Sequence, residues 1–187
     1  MFYLIRHGET DWNVAGLQTS FTDLPLNQTG RRQALALKFY LKKKDFAQVW
    51  CSPLLRACET CELAGFGEQA HVRPDLTEWH AGEYEGLKTE EIQQKYPGWS
   101  MMTHGAPGGE SLEQIEQRAR QVIEAMCSAK GDILIFSSSH FLRALAACFV
   151  GLSPAFGKNL FLGSATVSIL DEIRQGPVIR LWNYQVS

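Results

Sequence analysis

Leu4-Ile5-Arg6-His7-Gly8-Glu9-Thr10 is the stretch whose reading decides the fold. The apolar run Phe2–Arg6 reads as a buried strand that passes directly into a His-Gly turn. Open α/β sheets place their ligands at the carboxyl ends of strands, so a histidine there faces a crevice. Arg6 adds a planar fork suited to phosphate oxygens, and Gly8 removes a side chain that would crowd a bound anion. A strand-end histidine taken alone is more often a hydrogen-bonded structural residue. The unit Arg6-His7-Gly8-Glu9-Thr10 makes it a candidate for chemistry.

Outward from this turn, strand-like and helix-like segments alternate, which predicts an α/β layer architecture. Thr29 is expected to cap a helix over Gly30–Lys43, where Ala34, Leu37 and Leu41 fall on one face. Gln48–Cys51 reads as a short strand, and Ser52-Pro53 as an N-cap followed by proline at the first helical position. Val72–Arg73 is a further short strand, and Thr77–Leu87 a loop rich in Glu, Gly and aromatics. Ser111 with Gln114 makes a capping box ahead of a stripe formed by Leu112, Ile115, Ala119, Val122, Ile123 and Met126. Asp132–Ser137 has the near-continuous apolar character of a central parallel strand, and a helix bearing Leu142, Leu145, Ala146 and Phe149 follows it. Thr166–Leu170 and Val178–Trp182 read as two last strands joined at Gln175-Gly176. No repeat or linker interrupts the series, so one domain over residues 1–187 is expected.

With 187 residues, 45% of them hydrophobic, the chain has material for one sizeable core. Eighteen basic and twenty acidic residues leave a net charge of -2, and no long run of one sign occurs. That balance argues against nucleic acid or an anionic membrane as a partner, so any attraction for phosphate must be local. The apolar segment Leu142–Leu152 contains Arg143 and is too short to span a bilayer, and no signal peptide is expected ahead of the first strand. Five cysteines without framework spacing fit reduced thiols in a cytoplasm. Cys58 and Cys61 form a Cys-x-x-Cys with no second pair to complete a metal site, so structural thiols are expected, with no metal ion and no cofactor. Nothing in the sequence bears on oligomeric state.

The run Leu4–Thr10 with Asn13 resembles the signature of the histidine phosphatase superfamily, which includes phosphoglycerate mutases and many phosphatases. The resemblance extends along nearly the whole chain. Asp23-Leu24-Pro25-Leu26 with Thr29-Gly30 is similar to the family's first loop and helix start, and Ser52-Pro53-Leu54-Leu55-Arg56-Ala57 to its second phosphate-binding segment. Leu76-Thr77-Glu78-Trp79, running into Gly82–Gly86, resembles the acid-bearing loop, and Gly108-Gly109-Glu110-Ser111 the start of the long helix. The resemblance implies a three-layer sandwich with a mostly parallel central sheet flanked by helices. It also implies His7 as a nucleophile that becomes phosphohistidine, with Arg6 and Arg56 holding the phosphoryl oxygens. Asn13 would contact phosphate or orient His7, or else cap its loop. Glu78 would be the general acid, its carboxyl pushed up by the nearby phosphate dianion. Thr19 and Ser20 fall where substrate-contacting loop residues lie.

One segment departs from the family. A second histidine is expected in a His-Gly-x-x-x-Arg pattern ending at Arg143, yet Ser138 and Ser139 stand at the His and Gly positions. His140 then matches a further histidine that some relatives carry two places later. Either His140 serves through a shift of register, or Ser138 occupies the pocket and donates one neutral hydrogen bond; we expect the latter. Such a loss typically costs about 10²–10³ in rate. The leading expectation is a metal-independent phosphatase of small phosphorylated metabolites, leaning to the branch that contains sugar bisphosphatases. A phosphoglycerate mutase and a phosphate-binding pseudoenzyme with little turnover are the alternatives. Side chains around Thr19, Trp79, His80 and Trp99–His104 are expected to contact the substrate's organic part or to pack.

Overall fold

The computed structural model describes residues 1–186 and holds one six-stranded sheet. Its strands are β1 (Phe2–Arg6), β2 (Gln48–Cys51), β3 (Ala70–Val72), β4 (Ile133–Ser137), β5 (Thr166–Ile173) and β6 (Gly176–Gln185). They lie in the order β3-β2-β4-β1-β5-β6. The four from β3 to β1 are parallel, and β5 and β6 add antiparallel at the β1 side. Every residue of β4 is buried, as its unbroken apolar run requires of a strand covered on both faces.

Among the described residues seven α-helices accompany the sheet: α1 (Asp11–Ala15), α2 (Gln28–Leu41), α3 (Leu55–Leu63), α4 (Thr89–Lys95), α5 (Met101–His104), α6 (Leu112–Ser128) and α7 (Ser139–Phe149). Side chains of a strand alternate between faces, and the core divides accordingly into two clusters. Phe2, Leu4, Ile133 and Ile135 point into the cluster shared with α6 and α7. Tyr3, Ile5, Leu134 and Phe136 point into the one shared with α2 and α3. The result is the expected α/β sandwich of three layers. Each fully buried Ile, Leu or Phe of this set contributes about 1.5–3 kcal/mol through removal from water.

Two helix starts differ from the sequence expectation. Asn27, not Thr29, caps α2, with its side chain accepting the Gly30 N–H at 2.8 Å. Leu54, not Ser52, is the N-cap of α3, since Ser52-Pro53 forms a turn ahead of the helix. The free N–H of Leu55 is instead satisfied from a distant loop by Asp23, at 2.6 Å. The capping box of Ser111 and Gln114 at α6 forms as expected. Strand β3 begins two residues before the Val72–Arg73 expectation, and the last two strands run longer than expected. No helix among the described residues is long and apolar enough to cross a membrane.

Candidate active site

β1 and β4 are adjacent and parallel, yet the chain leaves them toward opposite faces: β1 leads to α2 and β4 to α7. Where neighbouring strands part in this way, a crevice opens beyond their carboxyl ends. His7 follows β1 at this point, and Ser139 and His140 follow β4. Together with Arg6, Asn13, Thr19 and Glu78 they line a cavity of about 160 Å³.

His7 is 3% exposed, and its ring is held at both nitrogens. Nδ1 lies 2.8 Å from the Gly8 carbonyl, and Nε2 accepts the Arg56 Nε–H at 3.2 Å. A carbonyl can only accept and a guanidinium can only donate, so this pair of contacts assigns the proton to Nδ1 and the lone pair to Nε2. Burial, followed by the Arg56 and Arg6 charges, pushes the imidazole well below its ordinary range. A neutral ring with Nε2 unprotonated is the form that attacks phosphorus once the Arg56 contact is exchanged.

Arg56 is wholly buried despite its charge. Besides His7 it donates to the Ser20 carbonyl at 2.8 Å and the Thr22 carbonyl at 3.1 Å. It therefore ties the loop after α1 to the nucleophile. Arg6 donates from Nη1 to the Leu162 carbonyl, while its buried Nε has no protein partner. Burial lowers its guanidinium to about 10, which still leaves it charged at neutral pH.

Glu78 is 4% exposed and behaves as a fixed anion. Oε1 accepts the N–H groups of Trp79 at 2.9 Å and Phe141 at 2.8 Å; Oε2 accepts that of His140 at 3.1 Å. The His140 Nδ1 stands 3.6 Å from Oε2. Burial alone would raise this carboxyl, but the His140 contacts and the backbone N–H groups outweigh it and hold it far below the usual carboxylate range. Beside the expected push from a phosphate dianion, the start of α7 supplies an opposing set of donors to Glu78 that the sequence did not reveal.

The model of the histidine phosphatase superfamily (branch 1) matches residues 2–185. The chain belongs to that superfamily. It is 38% identical over 172 residues to an acid phosphatase of Mycobacterium tuberculosis, a match covering 89% of this chain and 83% of that protein. It is 30% identical to the sedoheptulose 1,7-bisphosphatase of Saccharomyces cerevisiae, over 80% of this chain and 67% of that one. Among solved structures, that of an open reading frame product from Mycobacterium tuberculosis superposes with a TM-score of 0.95 at 33% identity, covering 100% of this chain and 98% of the other. This histidine phosphatase is accordingly an enzyme of the phosphoric monoester hydrolase class.

Several site residues expected from the sequence stand elsewhere than anticipated. Ser138 does not line the cavity: it is the extended N-cap of α7, fully buried, and its hydroxyl has no partner among the described residues. His140, one residue into the helix, takes the place on the wall. Ser20 is also fully buried, and its N–H and hydroxyl both bind Glu85, which receives the Thr22 N–H as well. Ser20 thus anchors its loop rather than facing a substrate. Asn13 divides its roles, since Oδ1 accepts the Thr10 N–H in a capping box while the residue still borders the cavity. Gly8 spares crowding of a different kind: a Cβ there would sit 2.5 Å from the Gly30 carbonyl oxygen, so the glycine lets the turn pack on α2.

Trp79, Trp99, Met101 and Met102 are core residues, not substrate contacts. Sequence reasoning missed Phe21. Its exposed ring stacks on His80 at 4.4 Å, and both line a second cavity of about 360 Å³ that shares Glu78 with the first. The Cys58–Cys61 pair lines a third cavity with Cys51 near α3, and all five cysteines are free. No group of three or more metal-ligating side chains is suitably placed among the described residues.

The depressed imidazole has a consequence for stability. Below the unfolded value of about 6.5 the unfolded chain takes up a proton that folded His7 refuses, so stability falls as pH drops. Melting temperature should therefore decline from pH 7.5 to 5, and His7→Gln should flatten that decline. Glu78, held low, contributes in a separate window below its ordinary value of 4.5. Parallel calorimetric profiles for the two proteins above pH 5 would refute the assignment.

Proposed function

We propose that this histidine phosphatase, as one domain and without a metal ion, hydrolyses phosphomonoesters of small metabolites in the cytoplasm through a phosphohistidine on His7. The observation that carries the reading is the buried His7 on the wall of a small cavity that Arg6 also lines, with the Arg56 guanidinium hydrogen-bonded to His7 Nε2 from behind that wall. Arg6 Nε, buried without a protein partner, is available to a phosphoryl oxygen. Charge developing on the transferring group meets guanidiniums already in place, and such preorganised donors lower the barrier most. Asn13 and Thr19, at the cavity's edge, contact the bound ester. The adjoining cavity under Phe21 and His80 accommodates its organic part. The phosphatases to which the chain is similar support hydrolysis over transfer.

Rapid quenching in base during turnover of a ³²P-labelled phosphomonoester should trap label that is base-stable, acid-labile and confined to the peptide containing His7. Label elsewhere, or turnover without any label, would refute the scheme. A second reading, a phosphate-binding protein with little turnover, draws on the buried and unpartnered Ser138 hydroxyl at the second-histidine position. Tight phosphate binding by calorimetry, with no turnover until Ser138→His is introduced, would select it.

A further inference from the structure

We propose that His140 is the proton donor to the departing oxygen and that Glu78 is its positioning residue rather than the acid itself; the inference rests on the phosphohistidine reading above. Geometry argues against Glu78 as donor. Its two oxygens already receive three backbone N–H groups and face the His140 ring. Three of its roughly four acceptor sites are thus taken and Oε2 turns toward His140 Nδ1 at 3.6 Å, so a proton on Glu78 would point at that ring rather than at a substrate, and the N-terminal end of the 11-residue α7 favours the anion further.

His140 is free of such constraints. Its side chain is 23% exposed, it lies on the same wall as His7, and it makes no hydrogen bond through Nε2 to another described residue. The carboxylate sits on the Nδ1 side, so Nε2 is the nitrogen left for a substrate. A carboxylate behind one nitrogen of an imidazole fixes the ring's direction, as in other acid–base pairs. Neither Ser138, buried behind the wall, nor Ser139 has a proton of comparable acidity to give.

In the first step the phosphorus–ester oxygen bond breaks as phosphorus bonds to His7 Nε2, and the Nε2 proton of His140 passes to the departing oxygen. An alcohol leaves and His140 is neutral. In the second step a water oxygen bonds to phosphorus, one water proton goes to His140, and the phosphorus–nitrogen bond breaks. Inorganic phosphate leaves, with His7 neutral and His140 protonated again.

Proton donation matters for a poor leaving group and little for one that departs as a stable anion. The kcat/KM values for β-glycerol phosphate and 4-nitrophenyl phosphate, which report the steps through release of the alcohol and not the later hydrolysis at His7, should therefore be compared in the wild type, His140→Ala and Glu78→Gln. His140→Ala should lose about 10²–10⁴-fold on the glycerol ester and under about tenfold on the nitrophenyl ester. Added imidazole should restore part of the glycerol ester rate, which a misfolded variant could not show. Glu78→Gln should lose less, in the same sense. Equal losses on both esters in His140→Ala, or the large selective loss in Glu78→Gln instead, would overturn the proposal. A wild type that turns over the nitrophenyl ester with no label on His7 would remove the phosphohistidine reading, and this one with it.

Discussion

His7→Gln is expected to lower phosphatase turnover by about 10⁴–10⁶-fold, the range seen when a nucleophile that works within a catalytic unit is removed. Glutamine is the informative replacement because its amide can reproduce both contacts of the ring. It can donate to the Gly8 carbonyl and accept from Arg56 Nε–H, leaving neither partner of this 3% exposed residue unsatisfied. The fold should survive at pH 7.5, as circular dichroism and melting temperature would check, so the loss can be read as chemistry. An amide oxygen or nitrogen cannot form the covalent intermediate. Residual activity would come from the two guanidiniums alone, acting on direct attack by water. Wild-type turnover of 4-nitrophenyl phosphate in this variant would end the case for His7 as nucleophile.

What the sequence revealed and what it hid follow from contact range. The strand that ends at His7 and the wholly apolar β4 are legible because period and composition are local properties, and the α/β order follows from them. So is the placing of Arg56 near the start of a helix, though the cap comes from Asp23, 32 residues earlier in the chain. The same blindness to distant partners hid Glu85, which binds Ser20 across 65 positions and removes that hydroxyl from the site. Trp99 and Met101 could be read as loop contacts only because their burial depends on α6 and α7, which pack over them from later in the chain. Spacing from Arg143 drew attention to Ser138. Which of residues 138 and 140 faces the cavity depends on where α7 begins, and element boundaries are what a sequence specifies least well.

Arg56→Lys is expected to cost about 10²–10³-fold in turnover, the loss typical of one preorganised donor aimed at transition-state charge. The charge is kept, so the effect isolates geometry. An ammonium is a compact point donor at the end of a flexible stem, whereas the guanidinium at this position reaches His7 Nε2 and the Ser20 and Thr22 carbonyls from one rigid plane. Lysine cannot serve all three, and a buried carbonyl left without a donor costs about 1–3 kcal/mol. Arg56 also donates to the very lone pair that must attack phosphorus, so an incoming phosphoryl group has to take the guanidinium over from His7. Anion binding and the order of the 20–22 loop then share one side chain. Inorganic phosphate should protect that loop from limited proteolysis in the wild type and do so poorly in Arg56→Lys, together with a raised KM. Equal protection and unchanged kcat in the lysine variant would show that charge alone is sufficient here and that the bridge to the loop is incidental.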